Sequence, residues 1–184
     1  MLLHRDRAHL AVIDIQDRLA PVIHEVESLV TNAARLIKYA DRLAVPVTFT
    51  EQMPERIGTT LETLRQVASE GAACLTKTTF SSLQAPAIAN RFHDLRGEGR
   101  DQIVVAGMES HVCVLQTVLD LLAGNYEVFL VADAVSSRTP ENQALALDRM
   151  SKAGAVIVSQ EMIAFEWLER ADTVEFKDLL PLFK

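Results

Sequence analysis

The chain has 184 residues, of which 49% are hydrophobic and 23% charged, and a formal net charge of -7. That is the size of one domain with a developed core, read here as spanning 1–184, and no basic run or aromatic-basic interleaving offers a nucleic-acid footprint. The opening MLLHRDRAHLAVIDIQDRLA is broken by charge too often for a signal peptide, and no apolar run approaches the roughly 20 residues that span a bilayer. The expectation is a cytoplasmic protein without nucleic-acid or membrane partners, whose two cysteines, Cys74 and Cys113, stay reduced.

Short apolar runs rich in β-branched residues mark six strands. The first, HLAVIDI, covers 9 to 15 and leads into Gln16 and Asp17. In SLVTNAARLIKYADRL, Leu29, Ala33, Leu36, Ile37, Ala40 and Leu43 share one face, which predicts a helix. PVTFT (46 to 50), AACLT (72 to 76) and QIVVAG (102 to 107) supply the next three strands. HVCVLQTVLDLLAG is apolar almost all round and stops near Gly124, as a helix buried in a layered fold would. EVFLVA (127 to 132) is the fifth strand. TPENQALALDRMSKAG then opens a helix with Thr139 as cap and Pro140 in the first turn, and Gly154 closes it before the sixth strand, GAVIVS (154 to 159). Continuous apolar strands alternating with helices predict a parallel sheet covered on both faces, an α/β three-layer sandwich.

In such folds ligands bind at the carboxyl ends of the strands, near the point where strand order reverses. Asp14 ends the first strand, Lys77 the third and Gly107 the fourth, and Cys113 opens the next helix. Each has a plain structural reading: a loop-bonded aspartate, a solvated lysine, a buried small hydrophobe. Cys113 differs from Cys74 in opening a helix, where unpaired amides and a nearby cation favour a thiolate, so it is expected to carry the lower thiol pKa of the two. Cys74, inside its strand, reads as core packing. His111 lies two residues before Cys113 and points elsewhere at a helix start, so it reads as a pocket group rather than the base.

AVIDIQ at the first strand, TKTTFSS some sixty residues on, and VVAGMESHVCV ahead of a long apolar helix together resemble the isochorismatase-like cysteine hydrolases, from Leu10 to about Ser159. The resemblance implies a Rossmann-like six-stranded parallel sheet in the order 3-2-1-4-5-6. It also implies a triad in which Asp14 is the base, Lys77 the cation and Cys113 the nucleophile that attacks an amide carbonyl and forms a thioester. By the same likeness the turn holds a non-proline cis bond at Met108-Glu109, with the backbone amides of Glu109 and Cys113 as oxyanion donors. In that strand order Lys77 sits on an edge strand and must reach inward along its stem.

Nicotinamidase-type relatives carry an Asp-x-His pair after the second strand that helps hold a metal. The matching segment FTEQMPERIG has Glu51 and Gln52 and no histidine, so neither metal nor other cofactor is expected. Members that act on isochorismate lack the cysteine, so Cys113 speaks against that ether substrate. A metal-free, amidase-like branch fits best, with a small molecule as substrate. Gln16, Gln52 and His111 are polar pocket candidates, and Phe80 and Met53 apolar ones. DAVSSRTPE (133 to 141) reads as a bonded loop and helix cap, with Ser137 or Arg138, the latter as a carboxylate binder, as the functional reading. The alternatives are an idle binding or scaffold protein on the same fold, an isochorismate-type ether hydrolase, and a redox role for Cys113. The apolar C-terminal stretch from Met162 onward exceeds what a small domain needs and predicts a homodimer or homotetramer.

Overall fold

A computed structural model describes residues 1–183; Lys184, the last residue of the apolar C-terminal stretch, lies outside the described residues. Six strands, β1 (Ala8–Ile13), β2 (Val47–Gln52), β3 (Ala73–Lys77), β4 (Gln102–Met108), β5 (Glu127–Ser136) and β6 (Val156–Val158), form one parallel sheet in the order β3-β2-β1-β4-β5-β6. Order reverses between β1 and β4, which places the switch point beside Asp14 and Gly107.

The strand alternation divides the core in two. Leu10 and Val12 of β1, Val104 and Ala106 of β4, and Phe129 and Val131 of β5 face one layer. Ala11 and Ile13, Ile103 and Val105, and Val128 and Leu130 face the other. The first layer is covered by α1 (Val26–Arg42), α7 (Gln160–Leu168) and α8 (Val174–Leu179). The second is covered by α4 (Pro86–Gly97), α5 (Leu115–Ala123) and α6 (Pro140–Lys152). Two single-turn helices, α2 (Pro54–Ile57) and α3 (Glu62–Arg65), lie between β2 and β3. Helix α1 buries Leu29, Ala33, Leu36, Ile37 and Ala40, the face set by its spacing, while Thr139 caps α6 by accepting from Asn142 N at 3.3 Å.

Three expectations need correction. The fifth strand runs to Ser136, past the expected end at 132, because a register shift after Val105 lets Val135 and Ser136 pair with Gly107 and Met108. Cys74 is exposed rather than core: β3 is an edge strand, and its alternation turns Cys74 and Thr76 outward. Cys113 lies not at the mouth of α5 but within a wide π-helical turn, Ser110–Val114, that runs into it.

Gly107 answers a close approach. At φ 143° it sits beside Ile13 in the β1–β4 ladder, and a Cβ there would overlap the Ile13 carbonyl oxygen. The residue that follows β1, Asp14, adopts a left-handed φ of 51°, a conformation Asp tolerates better than most residues. Its carboxylate meets Thr50 and Lys77 at the carboxyl ends of the strands.

Candidate active site

Lys77 Nζ lies 2.6 Å from Asp14 Oδ2, with both side chains buried. Thr50, on the strand between them, donates its hydroxyl to Asp14 Oδ1 at 2.7 Å. Gln52 Oε1 and the carbonyls of Thr79 and Phe80 share the two remaining ammonium hydrogens, at 2.9, 3.2 and 3.1 Å. A buried ion pair is stable only when its other lone pairs and protons are satisfied, and here they are.

Cys113, 7% exposed, belongs to the same buried apolar cluster as Ala11 and Ile13 and responds to both charges. Burial pushes its thiol up to about 12, the Asp14 carboxylate adds to the rise, and Lys77 opposes it. Asp14 is itself raised above its usual range by burial, against the pull of Lys77, Thr50 and Cys113. The expected low thiol pKa is therefore corrected, since both thiols are raised, Cys74 to about 11 by desolvation and by Glu51. A buried neutral thiol beside a carboxylate keeps its proton until something accepts it.

The pocket candidates separate. Gln16 is fully buried and spends its amide on main chain, donating to Gln52 O at 3.1 Å and Gly58 O at 2.5 Å and accepting from Gln52 N at 2.7 Å. It fastens the loop after β1 to the end of β2. Gln52 is likewise committed, to Lys77 and to the Thr78 carbonyl at 2.9 Å. Phe80 stands 55% exposed beside the site. Met53 lines an open groove of about 480 Å³ together with Pro54, Lys77 and Pro86. Glu51, on the segment compared with metal sites, accepts the Thr60 amide at 2.7 Å.

Around Cys113, the Met108-Glu109 peptide is cis, and the Glu109 carbonyl accepts from Val112 N and Val114 N at 3.1 and 3.3 Å. His111 Nδ1 bonds Ser137 Oγ at 2.9 Å, and Arg138 Nε donates to Glu109 Oε1 at 2.8 Å. Arg138 thus meets a carboxylate of its own chain. Sequence reasoning missed Thr50, which reads as an ordinary strand residue, and the orienting role of Gln52.

Fold and site together define a doubly wound α/β protein with a thiol and a buried carboxylate–ammonium pair at its switch point. The isochorismatase domain description matches residues 8–162, and the chain belongs to the isochorismatase-like hydrolase family. It is 34% identical to isochorismatase family protein 1A of Dictyostelium discoideum, over 94% of this chain and 84% of that one. Isochorismatase domain-containing protein 2A of Mus musculus is 33% identical, over 95% and 82%. Among solved structures, the MAR1 ribonuclease of Caenorhabditis elegans superposes with a TM-score of 0.92 at 31% identity, covering 99% of this chain and 92% of its own. YcaC of Pseudomonas aeruginosa, at 20% identity and a TM-score of 0.89 over 98% and 90%, shares the fold.

Proposed function

We propose that the protein is a cysteine hydrolase that cleaves the C–N bond of a small amide through a thioester on Cys113. The observation that carries this reading is the convergence on Cys113 of a buried carboxylate, Asp14, whose partner Lys77 lies 2.6 Å away. As Cys113 Sγ bonds to the carbonyl carbon, its proton passes to Asp14, whose raised proton affinity suits the task. Negative charge moves to the substrate oxygen, and the backbone amides of Glu109 and Cys113 are the donors assigned to it. Asp14 returns the proton to the leaving nitrogen as the C–N bond breaks. Water, deprotonated by Asp14, then cleaves the thioester and restores the thiol. Lys77 balances the Asp14 charge throughout, and Gln52 and Thr50 hold the pair in register.

The Caenorhabditis elegans structure is named a ribonuclease. A net charge of -7 gives this chain no general attraction for a polyphosphate, so RNA serves as the contrasting substrate. The test is ammonia release over a panel of small carboxamides and ureides, with RNA cleavage in parallel, for wild type and Cys113→Ala. Release by wild type and not by Cys113→Ala is expected. Equal release by both, or RNA cleavage without amide turnover, overturns the reading.

A further inference from the structure

The β4–β5 ladder ends at Met108 and Ser136, and beyond it two side-chain bonds take over. His111 Nδ1 meets Ser137 Oγ, and Glu109 Oε1 accepts from Arg138 Nε at 2.8 Å. The loop that supplies Ser137 and Arg138 is itself anchored. The Ser137 carbonyl accepts from His24 N at 2.9 Å, and Ser136 Oγ donates to the His24 carbonyl at 2.7 Å. On the other side, the Glu109 carbonyl holds the amides of Val112 and Val114, the residues flanking Cys113. Glu109 therefore joins a fixed loop to the turn that carries the thiol.

We propose that Arg138 is a positioning residue for the nucleophile turn, acting through the Glu109 carboxylate, with the His111–Ser137 bond as a second pin. The inference rests on the hydrolase reading above. The Glu109 side chain is 11% exposed, whereas the Arg138 side chain is 58% exposed. A nearly enclosed carboxylate needs a partner, so loss of Arg138 turns Glu109 toward water and moves its carbonyl, and with it the backbone on both sides of Cys113. The alternative, that Arg138 captures a substrate carboxylate, is disfavoured because its charge is already matched by Glu109.

The experiment compares wild type, Arg138→Gln, Arg138→Lys, Glu109→Gln and the Arg138→Gln/Glu109→Gln double variant. Readouts are turnover of an amide found in the screen, thermal midpoint, and labelling rates of Cys113 and Cys74 by iodoacetamide. Arg138→Gln and Glu109→Gln should each lower kcat by roughly tenfold to a hundredfold with KM changed less than about twofold. Arg138→Lys should recover part of the loss, and the double variant should be no worse than the weaker single one. Cys113 labelling should change at least about threefold while Cys74 labelling stays constant. A rise in KM confined to carboxylate-bearing substrates and absent from Glu109→Gln assigns Arg138 to substrate binding and overturns the inference. So does a lowered thermal midpoint with unchanged kcat. Should wild type turn over no amide, the functional reading fails; the inference then stands or falls on labelling alone, and unchanged Cys113 labelling in both single variants refutes it.

Discussion

Lys77 reaches Asp14 across an intervening strand. The two residues leave β3 and β1, and β2 runs between them, yet Nζ and Oδ2 are 2.6 Å apart. The long stem passes over the end of β2, where Thr50 and Gln52 receive the two charged groups. An edge strand thus contributes a cation to the centre of the sheet, and the charge arrives already solvated by protein atoms.

Removing one partner of this pair strands the other. Lys77→Ala should cost about 3 kcal/mol in urea denaturation, because Asp14 keeps only Thr50 as a donor from that side. Asp14→Asn should cost less, since Gln52 and two carbonyls still accept from the ammonium. Both variants should lose amide turnover, and the double variant should be little worse than the more damaging single one, as groups acting as a unit behave. Additive losses, or an Asp14→Asn enzyme of wild-type rate, would remove both residues from the mechanism.

The thiols should label in an order opposite to the one their sequence positions suggest. Cys74 is exposed and raised to about 11, whereas Cys113 is buried and raised to about 12. Iodoacetamide at neutral pH should therefore mark Cys74 first, and the Cys113 rate should climb about tenfold per pH unit into the alkaline range instead of levelling near pH 7. Turnover should follow a different group. With Asp14 as the proposed base it should be lost as pH falls through the raised Asp14 pKa, above the ordinary carboxylate range. Peptide mapping after graded-pH alkylation checks the first claim; early, pH-independent labelling of Cys113 would contradict it.

Much of the architecture was legible because a sheet buried on both faces writes near-continuous apolar runs: β1, β2 and β4 lie within two residues of where the sequence puts them. The extension of β5 was hidden because Asp133 interrupts its apolar run and a register shift carries the strand beyond it. Cys74 reads as core because an apolar run marks a strand but not which of its alternate residues is left uncovered, even where the strand order places β3 at the edge. Gln16 looks like a polar handle, yet its partners are carbonyls of residues far along the chain, which no local pattern encodes. The direction of the Cys113 shift depends on burial against helix-terminal and cationic stabilisation, and only the assembled edge shows that burial is larger.

His9 should give the fold a pH dependence unrelated to the site. It is fully buried, bonds Thr48 Oγ1 through Nε2 at 2.8 Å, and packs edge-on to Phe92. Burial, aided by the nearby Arg91 and Arg100, lowers its pKa to about 3. The unfolded chain takes up the proton below about pH 6.5 while the folded chain does not, so the stabilising contribution is complete above that pH and declines toward pH 3. The slope in that window is about 1.4 kcal/mol per pH unit at most. His9→Gln should flatten the difference in chemical-denaturation stability between pH 7 and pH 4.5; an unchanged difference would assign the slope to other groups.

Assembly is the fourth expectation. Trp167, Leu168 and Leu179 are buried against the first layer, as in a covering helix, but Met162 and Phe165 remain about half exposed. Phe165 stacks on Phe183 and, with Leu2, lines an open apolar groove. We expect this face to be covered by a second copy, giving a dimer or tetramer. Sedimentation should show a species heavier than the monomer at micromolar concentration, lightened by Phe165→Glu; monomer alone would end the idea.

The burial of Cys113 makes the thiol a timer for assembly of the molecule. The cluster that encloses it includes Ala11 and Ile13, which with Asp14 belong to the first half of the chain, whereas the thiol itself follows β4 in the second, and the halves meet along the β1–β4 ladder. Protection of Cys113 from a fast thiol reagent during refolding therefore registers the docking of the two halves rather than the formation of either, and exposed Cys74 in the same tube supplies the unprotected reference.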